Sequence, residues 1–141
     1  MTSGKNAIKI DHVAIWTANL EEMKDYYVRF FGGRANEKYV NRETLFESWF
    51  ISFESGARLE LMRRPGIPGN LNDREGKQHM GLIHLSFGTE TMQMVRDKAR
   101  ELEEAGFRIL RGPRKTGDGY YEIETLDPDG NRIEVAAVFS D

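Results

Sequence analysis

No cysteine occurs among the 141 residues. This excludes disulfides, thiol catalysis and zinc–thiolate centres, so any metal must be held by imidazole nitrogen and carboxylate oxygen. Long apolar runs are missing too. Nothing approaches the roughly 20 residues that span a bilayer, and residues 1–8 lack the apolar centre of a secretory signal. A cytoplasmic chain with no membrane partner is the expectation. Blocks of like charge are also lacking, and a formal net charge of -3 argues against a nucleic-acid surface. Basic pairs such as Arg63-Arg64 and Arg114-Lys115 could still attract a small anion, which leaves small molecules as the expected partners.

What is present suffices for a core. With 39% hydrophobic and 30% charged residues, the chain is long enough for one globular domain, or for two small modules sharing one core. Strand signals begin at "IKIDHVAIW", residues 8–16, where Ile8, Ile10, His12 and Ala14 share one face and Val13 and Ile15 the other. The spacing of Leu20, Met23, Tyr27 and Phe30 or Phe31 predicts a helix stopped by Gly32-Gly33. Strands are predicted near 36–41 and 46–54, and then in "SGARLELM", with Leu59 and Leu61 on one face and Arg58 and Glu60 on the other.

The second half replays this order. "GLIHLSFGT", residues 81–89, puts His84 opposite Ile83, Leu85 and Phe87. A helix follows over about 90–105, with Val95, Ala99 and Leu102 inward and Gly106 as its stop. Strands are predicted near 107–111, 119–126 and 131–138. "GARLEL" and "GNRIEV" match as Gly-x-Arg-apolar-Glu-apolar, and 48 residues separate His12 from Glu60 where 50 separate His84 from Glu134. The extra two residues fit the longer "DPDGN" turn, in which Pro128 presets one backbone angle and Gly130 supplies positive φ. Between the halves, residues 63–80 contain two prolines and three glycines and read as a linker or lid.

Each of the four strands carrying these residues has an apolar face for a helix and one polar residue pointing the other way. If the halves are related by a pseudo-twofold, His12, Glu60, His84 and Glu134 would converge. Two imidazoles and two carboxylates neutralise a divalent cation and leave positions for water or substrate on a six-coordinate ion. The donor set suits nickel, cobalt, manganese, ferrous iron or zinc. Structural salt bridges would also explain the acids, because Arg58 and Arg132 each lie two residues before a glutamate on the same strand face. Trp16, Trp49, Phe50 and Phe53 are aromatic enough to wall a ligand pocket, although strand aromatics are usually core. Phe50 shares a strand face with Ser48, Ser52 and Glu54.

From "KIDHVAI" through "GLIHLSF" to "LDPDGNRIEV" the chain resembles the vicinal oxygen chelate superfamily, the glyoxalase and bleomycin-resistance proteins. The resemblance implies an α+β fold in which two tandem βαβββ modules form an open, cupped mixed sheet with helices on its outer face. It implies one domain over 1–141, with module 1 at about 8–62, a linker at 63–80 and module 2 at about 81–139. His12, Glu60, His84 and Glu134 match the metal ligands of the glyoxalase I branch, which implies one divalent ion per site. The implied activity is that of a lyase or isomerase of the lactoylglutathione lyase type, moving a proton through an enediolate, with Glu134 as base and Glu60 as a second candidate.

The substrate is implied less directly. Glyoxalase I enzymes carry an arginine four residues after the first ligand and often an asparagine four after the second, where this chain has Trp16 and Arg64. "GPRKTG", residues 112–117, resembles the family's basic loop, so Trp16, Phe50, Arg114 and Lys115 are the expected substrate contacts. Methylmalonyl-CoA epimerases are similar but offer glutamine in place of Glu60, and Glu43 or Glu47 would be their extra base here. Drug-sequestering members usually lack the metal ligands. A homodimer is expected, with each site completed within one chain or across the twofold.

Overall fold

The computed structural model describes residues 6–69 and 78–141, so residues 70–77 of the stretch read as a linker or lid lie outside it. The chain divides into two compact units, Met1–Gly69 and Asn70–Asp141.

In the first unit, β1 (His12–Trp16) leads into α1 (Leu20–Phe31), followed by β2 (Arg34–Ala35), β3 (Tyr39–Asn41), β4 (Phe46–Ser52) and β5 (Arg58–Arg63). The predicted helix forms because its apolar stripe has a sheet to cover. Leu20, Met23, Tyr27 and Phe30 are buried, as are Ile51, Leu59 and Leu61 of the sheet. Glu21 and Glu22 in the first turn and Arg29 in the last complement the helix dipole. The chain leaves α1 at Gly32-Gly33, where the Gly33 N–H donates to the Tyr27 carbonyl at 3.1 Å.

Two strand expectations are corrected here. The segment from Ile8 to Asp11 is not in a strand, and Ile8 and Ile10 are exposed. The neighbour of β1 is β5, whose register with it starts at His12↔Arg58, and the Arg58 N–H to the Asp11 carbonyl at 2.9 Å is the last rung, so residues before Asp11 have no ladder to join. The single strand expected near 36–41 is two short ones, both paired to β4. Between Ala35↔Ile51 and Tyr39↔Ser48 one strand advances four residues while the other advances three, the signature of a bulge. Asn36 bridges it, its side-chain Oδ1 accepting from the Phe50 N–H at 2.9 Å.

In the second unit, β6 (His84–Gly88) is followed by α2 (Met92–Glu104), β7 (Ile109–Lys115), β8 (Tyr120–Leu126) and β9 (Arg132–Val138). Thr91 caps α2, its hydroxyl accepting from the Met94 N–H at 3.1 Å. Val95, Ala99 and Leu102 are buried, with Ile123, Ile133 and Val135 of the sheet. The "DPDGN" turn is held by Asp127, whose Oδ1 accepts from the backbone of Asp129 and Asn131 at 2.9 Å each, with Gly130 at φ 83° as expected. That turn delivers β9 in register beside β6.

The sheets repeat one another. The first runs β1-β5-β4-β2, with β3 also on β4, and the second β6-β9-β8-β7. In each, first and last strands pair in parallel with the same offset: His12↔Arg58 and Ala14↔Glu60 in one, His84↔Arg132 and Ser86↔Glu134 in the other. The duplication read from "GARLEL" and "GNRIEV" is thus a duplication of strand register, and the open, mixed sheets with one helix each are α+β as expected.

The strand expected at 107–111 is longer and starts later, absorbing much of "GPRKTG". Residues 112–115 are strand rather than loop because β8 continues alongside them, pairing Arg114↔Glu122 and Lys115↔Tyr121. The register slips between Arg111 and Arg114, at Gly112, which has φ 89° and where a Cβ would collide with the Glu122 carbonyl. Only glycine lets the two backbones approach so closely.

Candidate metal centre

In the first unit, β1 and β5 put His12 and Glu60 on the sheet face opposite the one bearing Leu59 and Leu61. Their Nε2 and Oε1 atoms are 3.6 Å apart. Imidazole Nδ1 donates to Asp11 Oδ2 at 2.7 Å, and the same oxygen accepts from Arg58 Nη2 at 2.7 Å. The hydrogen bonds from His12 and then Arg58 hold the Asp11 carboxyl down at about 2, so it stays an acceptor and assigns the proton to Nδ1. The ring is thereby oriented with Nε2 toward Glu60, the arrangement that prepares a histidine for metal ligation. Phe50 lies across the sheet from Glu60, its ring edge-on to His12 at 5.2 Å and under the Arg58 guanidinium at 4.3 Å.

The second unit repeats the pair, with His84 Nε2 and Glu134 Oε1 3.5 Å apart. Two donors on adjacent positions of one ion, each at ~2.1 Å, are themselves roughly 3.0–3.5 Å apart. The His84–Glu134 pair reaches the upper end of that range and the His12–Glu60 pair lies 0.1 Å beyond it, and their nitrogen and oxygen donors suit a borderline divalent ion. The arginines two residues before these acids pair elsewhere: Arg58 goes to Asp11, and Arg132 goes to Glu124 at 3.2 Å.

Sequence reasoning missed two acids. β8 sets Glu124 directly across from Glu134, with Glu122 two residues away on the same face. Carboxylate oxygens of Glu122, Glu124 and Glu134 all lie within 4.8 Å of one another. Arginines offset this charge: Arg132 and Arg111 lie at 3.2 and 3.5 Å from Glu124, and Arg114 at 3.7 Å from Glu122. The alternation of Glu122 and Glu124 with Ile123 and Thr125 was the available signal, since it marks a strand with one acidic face.

Burial, and then the hydrogen bond and repulsion involving Glu134, push the Glu122 carboxyl up to about 7. Its Oε2 is buried with no donor facing it, so the protonated form, which can donate to Glu134, is favoured. Between the ordinary value of 4.5 and about 7, the folded protein retains a proton that the unfolded chain has released. Stability present below that ordinary value is therefore lost as the pH rises through about 7. In metal-free protein, the urea midpoint is expected to fall from about pH 5 to about pH 8, with the Glu122→Gln variant showing a flatter profile. A wild-type midpoint that rises over this interval would contradict the assignment.

The other expected contacts are distributed as follows. Trp16, two residues beyond Ala14 on the face of His12, is 40% exposed. Arg114 faces Glu122, whereas Lys115 pairs in register with Tyr121 and sits over the Phe139 ring at 4.5 Å, on the other face of its sheet. Trp49 lies on the face of Leu61, with the Lys24 ammonium 4.9 Å above its ring, and Phe53 packs near Gly33. Glu47 is ion-paired to Arg63 and to Lys38 at 3.1 Å, and those cations hold its carboxyl below the usual range. Glu43 is exposed in the turn before β4. No helix among the described residues is long and apolar enough to cross a membrane.

Comparison with known proteins identifies the family and the fold. The family profile of the Glyoxalase/Bleomycin resistance protein/Dioxygenase superfamily matches residues 9–135. The uncharacterized protein YwbC of Bacillus subtilis (strain 168) is 26% identical over 129 residues, which covers 91% of this chain and 96% of that one. YqjT of the same organism is 36% identical over 61 residues, 41% of this chain and about half (48%) of YqjT. Among solved structures, a glyoxalase family protein from Bacillus cereus superposes with a TM-score of 0.77 at 14% identity, covering 99% of this chain and 100% of that one. The trypanothione-dependent glyoxalase I of Leishmania major superposes at 0.70 and 19% identity, covering 93% and 87%. At such identities the structural likeness speaks for the fold.

Proposed function

Since the chain belongs to the Glyoxalase/Bleomycin resistance protein/Dioxygenase superfamily, we propose that it is a metal-dependent lyase or isomerase that moves a proton on an α-oxygenated small molecule. The pairs His12–Glu60 and His84–Glu134 would supply four ligands to one divalent ion, from one chain or from two copies. Supporting this reading is a single observation: the same histidine–glutamate spacing, 3.6 and 3.5 Å, occurs at the same register positions of both modules.

A divalent ion bound there supplies Lewis acidity toward two adjacent substrate oxygens, which acidifies the neighbouring C–H. The chain's own groups handle the proton. Glu134 is the base of choice because Glu122 beside it can hold a proton near neutrality and exchange it with Glu134. Glu60 is the second candidate, and it has no such partner across the sheet, where Phe50 stands. Asp11 keeps the His12 ring oriented, and Arg58 keeps Asp11 in place. The epimerase alternative is weakened by Glu47, an ion-paired residue on the other face of β4. Drug sequestration without catalysis would leave the duplicated ligand pairs without a use.

Elemental analysis of the purified protein is expected to find about one equivalent of divalent ion per pair of modules, with nickel- or zinc-loaded samples converting a hemithioacetal to a hydroxyacyl thioester. Protein that binds no such ion would end this reading. Stoichiometric metal without hemithioacetal turnover would move the assignment to an isomerase of the same chemistry.

A further inference from the structure

Resting on the metal-site reading above, we propose that the substrate is an aromatic α-oxygenated acid whose ring seats on Trp16. Register orders the open face of the first sheet into rows. Ala14, Glu60 and Phe50 form the row nearest His12, and Trp16, Met62, Ser48 and Tyr39 form the next. Beyond these come Phe46, paired with Asn41, and Arg64, just past the end of β5. Residues two apart on a strand are roughly 7 Å apart, so the Trp16 row begins about where a ring attached to a short oxo acid would reach if its oxygens lay at Glu60.

The seat has the chemistry for such a ring. Trp16 and Phe46 meet edge-to-face at 6.0 Å and 89°, and Phe46 meets Tyr39 at 6.0 Å. Trp16 and Tyr39 remain 40% and 54% exposed, so the cluster keeps aromatic surface that a bound ring could cover. The Arg64 guanidinium lies 5.3 Å from the Trp16 ring centre, and among the described residues no carboxylate pairs with it. It therefore favours an electron-rich or anionic edge on the bound ring.

An internal control separates this patch from a requirement of the fold. Trp16 lies four residues after His12, and the position four after His84 is Gly88, where a side chain would meet open space. Arg64 lies four after Glu60, and four after Glu134 is Val138. The second module builds the same sheet order and register with neither group. Tyr120 stands where the second module matches Phe46, but the pairing of Trp16 with Arg64 occurs on the first module only, contiguous with that module's histidine and glutamate.

Phenylpyruvate and pyruvate share the oxo-acid group and differ by the ring. Titration calorimetry on nickel-loaded protein is expected to show phenylpyruvate binding at least about 10-fold more tightly. Trp16→Ala should abolish that preference, Trp16→Phe should keep most of it, and Arg64→Ala should weaken phenylpyruvate without changing pyruvate. Circular dichroism checks that each variant folds. Equal affinities in wild type, no detectable phenylpyruvate binding, or a preference that survives Trp16→Ala would each overturn the proposal. So would a native dimer that Trp16→Ala dissociates while no ring preference is seen, since the face would then be a subunit contact. A Trp16-dependent ring preference that is the same with and without nickel would uphold the seat and count against the metal reading.

Discussion

Arg132→Met is expected to destabilise the metal-free protein by about 3–5 kcal/mol, the cost of stranding a buried charge. Arg132 and Glu124 are each 6% exposed and lie 3.2 Å apart, so Glu124 depends on this partner instead of on water. Arg111 also reaches Glu124, at 3.5 Å, but its side chain is 53% exposed, and solvent screens what it can return. Glu134 directly across the sheet and Glu122 nearby add repulsion once the cation is gone. Urea denaturation at neutral pH measures the loss. Adding Glu124→Leu should restore most of it, because the double variant removes both charges while keeping the volume filled. A loss below about 1 kcal/mol would mean that Glu124 is solvated after all.

Metal affinity should fall by at least about 100-fold in His84→Ala, since even the loss of a group that only orients a ligand costs about 10–100-fold. Competition with a chromophoric chelator gives the constant directly. Asp11→Asn provides the graded comparison: it keeps the His12 ring but weakens the hydrogen bond that orients it, and a loss within that smaller range is expected. His84 has Ile83 where His12 has Asp11, so Ile83→Ala should leave affinity nearly unchanged. If His84→Ala binds the ion as wild type does, the two pairs are not ligands and the chemistry built on them fails.

Much of this architecture was legible in the chain before folding. The matched spacing of His12 to Glu60 and His84 to Glu134 anticipated a duplicated unit, which the structure realises as two parallel strand pairs of identical register, and the apolar spacing in both helices anticipated the buried residues. What escaped was decided by non-local partners. Arg132 is two residues from Glu134 on one face, yet it pairs with Glu124 because β8 brings that acid alongside; Arg58 similarly turns to Asp11. "GPRKTG" has the composition of a loop, but its first four residues become strand because β8 runs beside them. Glu122 and Glu124 could be placed on one face of a strand, but their approach to Glu134 follows only from the β8–β9 register.

Both modules begin with the strand that bears the imidazole and end with the one that bears the acid, and these two strands pair in parallel. A polypeptide growing from its amino terminus thus holds His12 without Glu60 until β5 has been made, and His84 without Glu134 until β9. Each half can present its donors only after its longest loop has closed, the step that costs most in chain entropy. Ion capture by either pair would then act as a clasp on a finished module, favouring completed halves over partial ones.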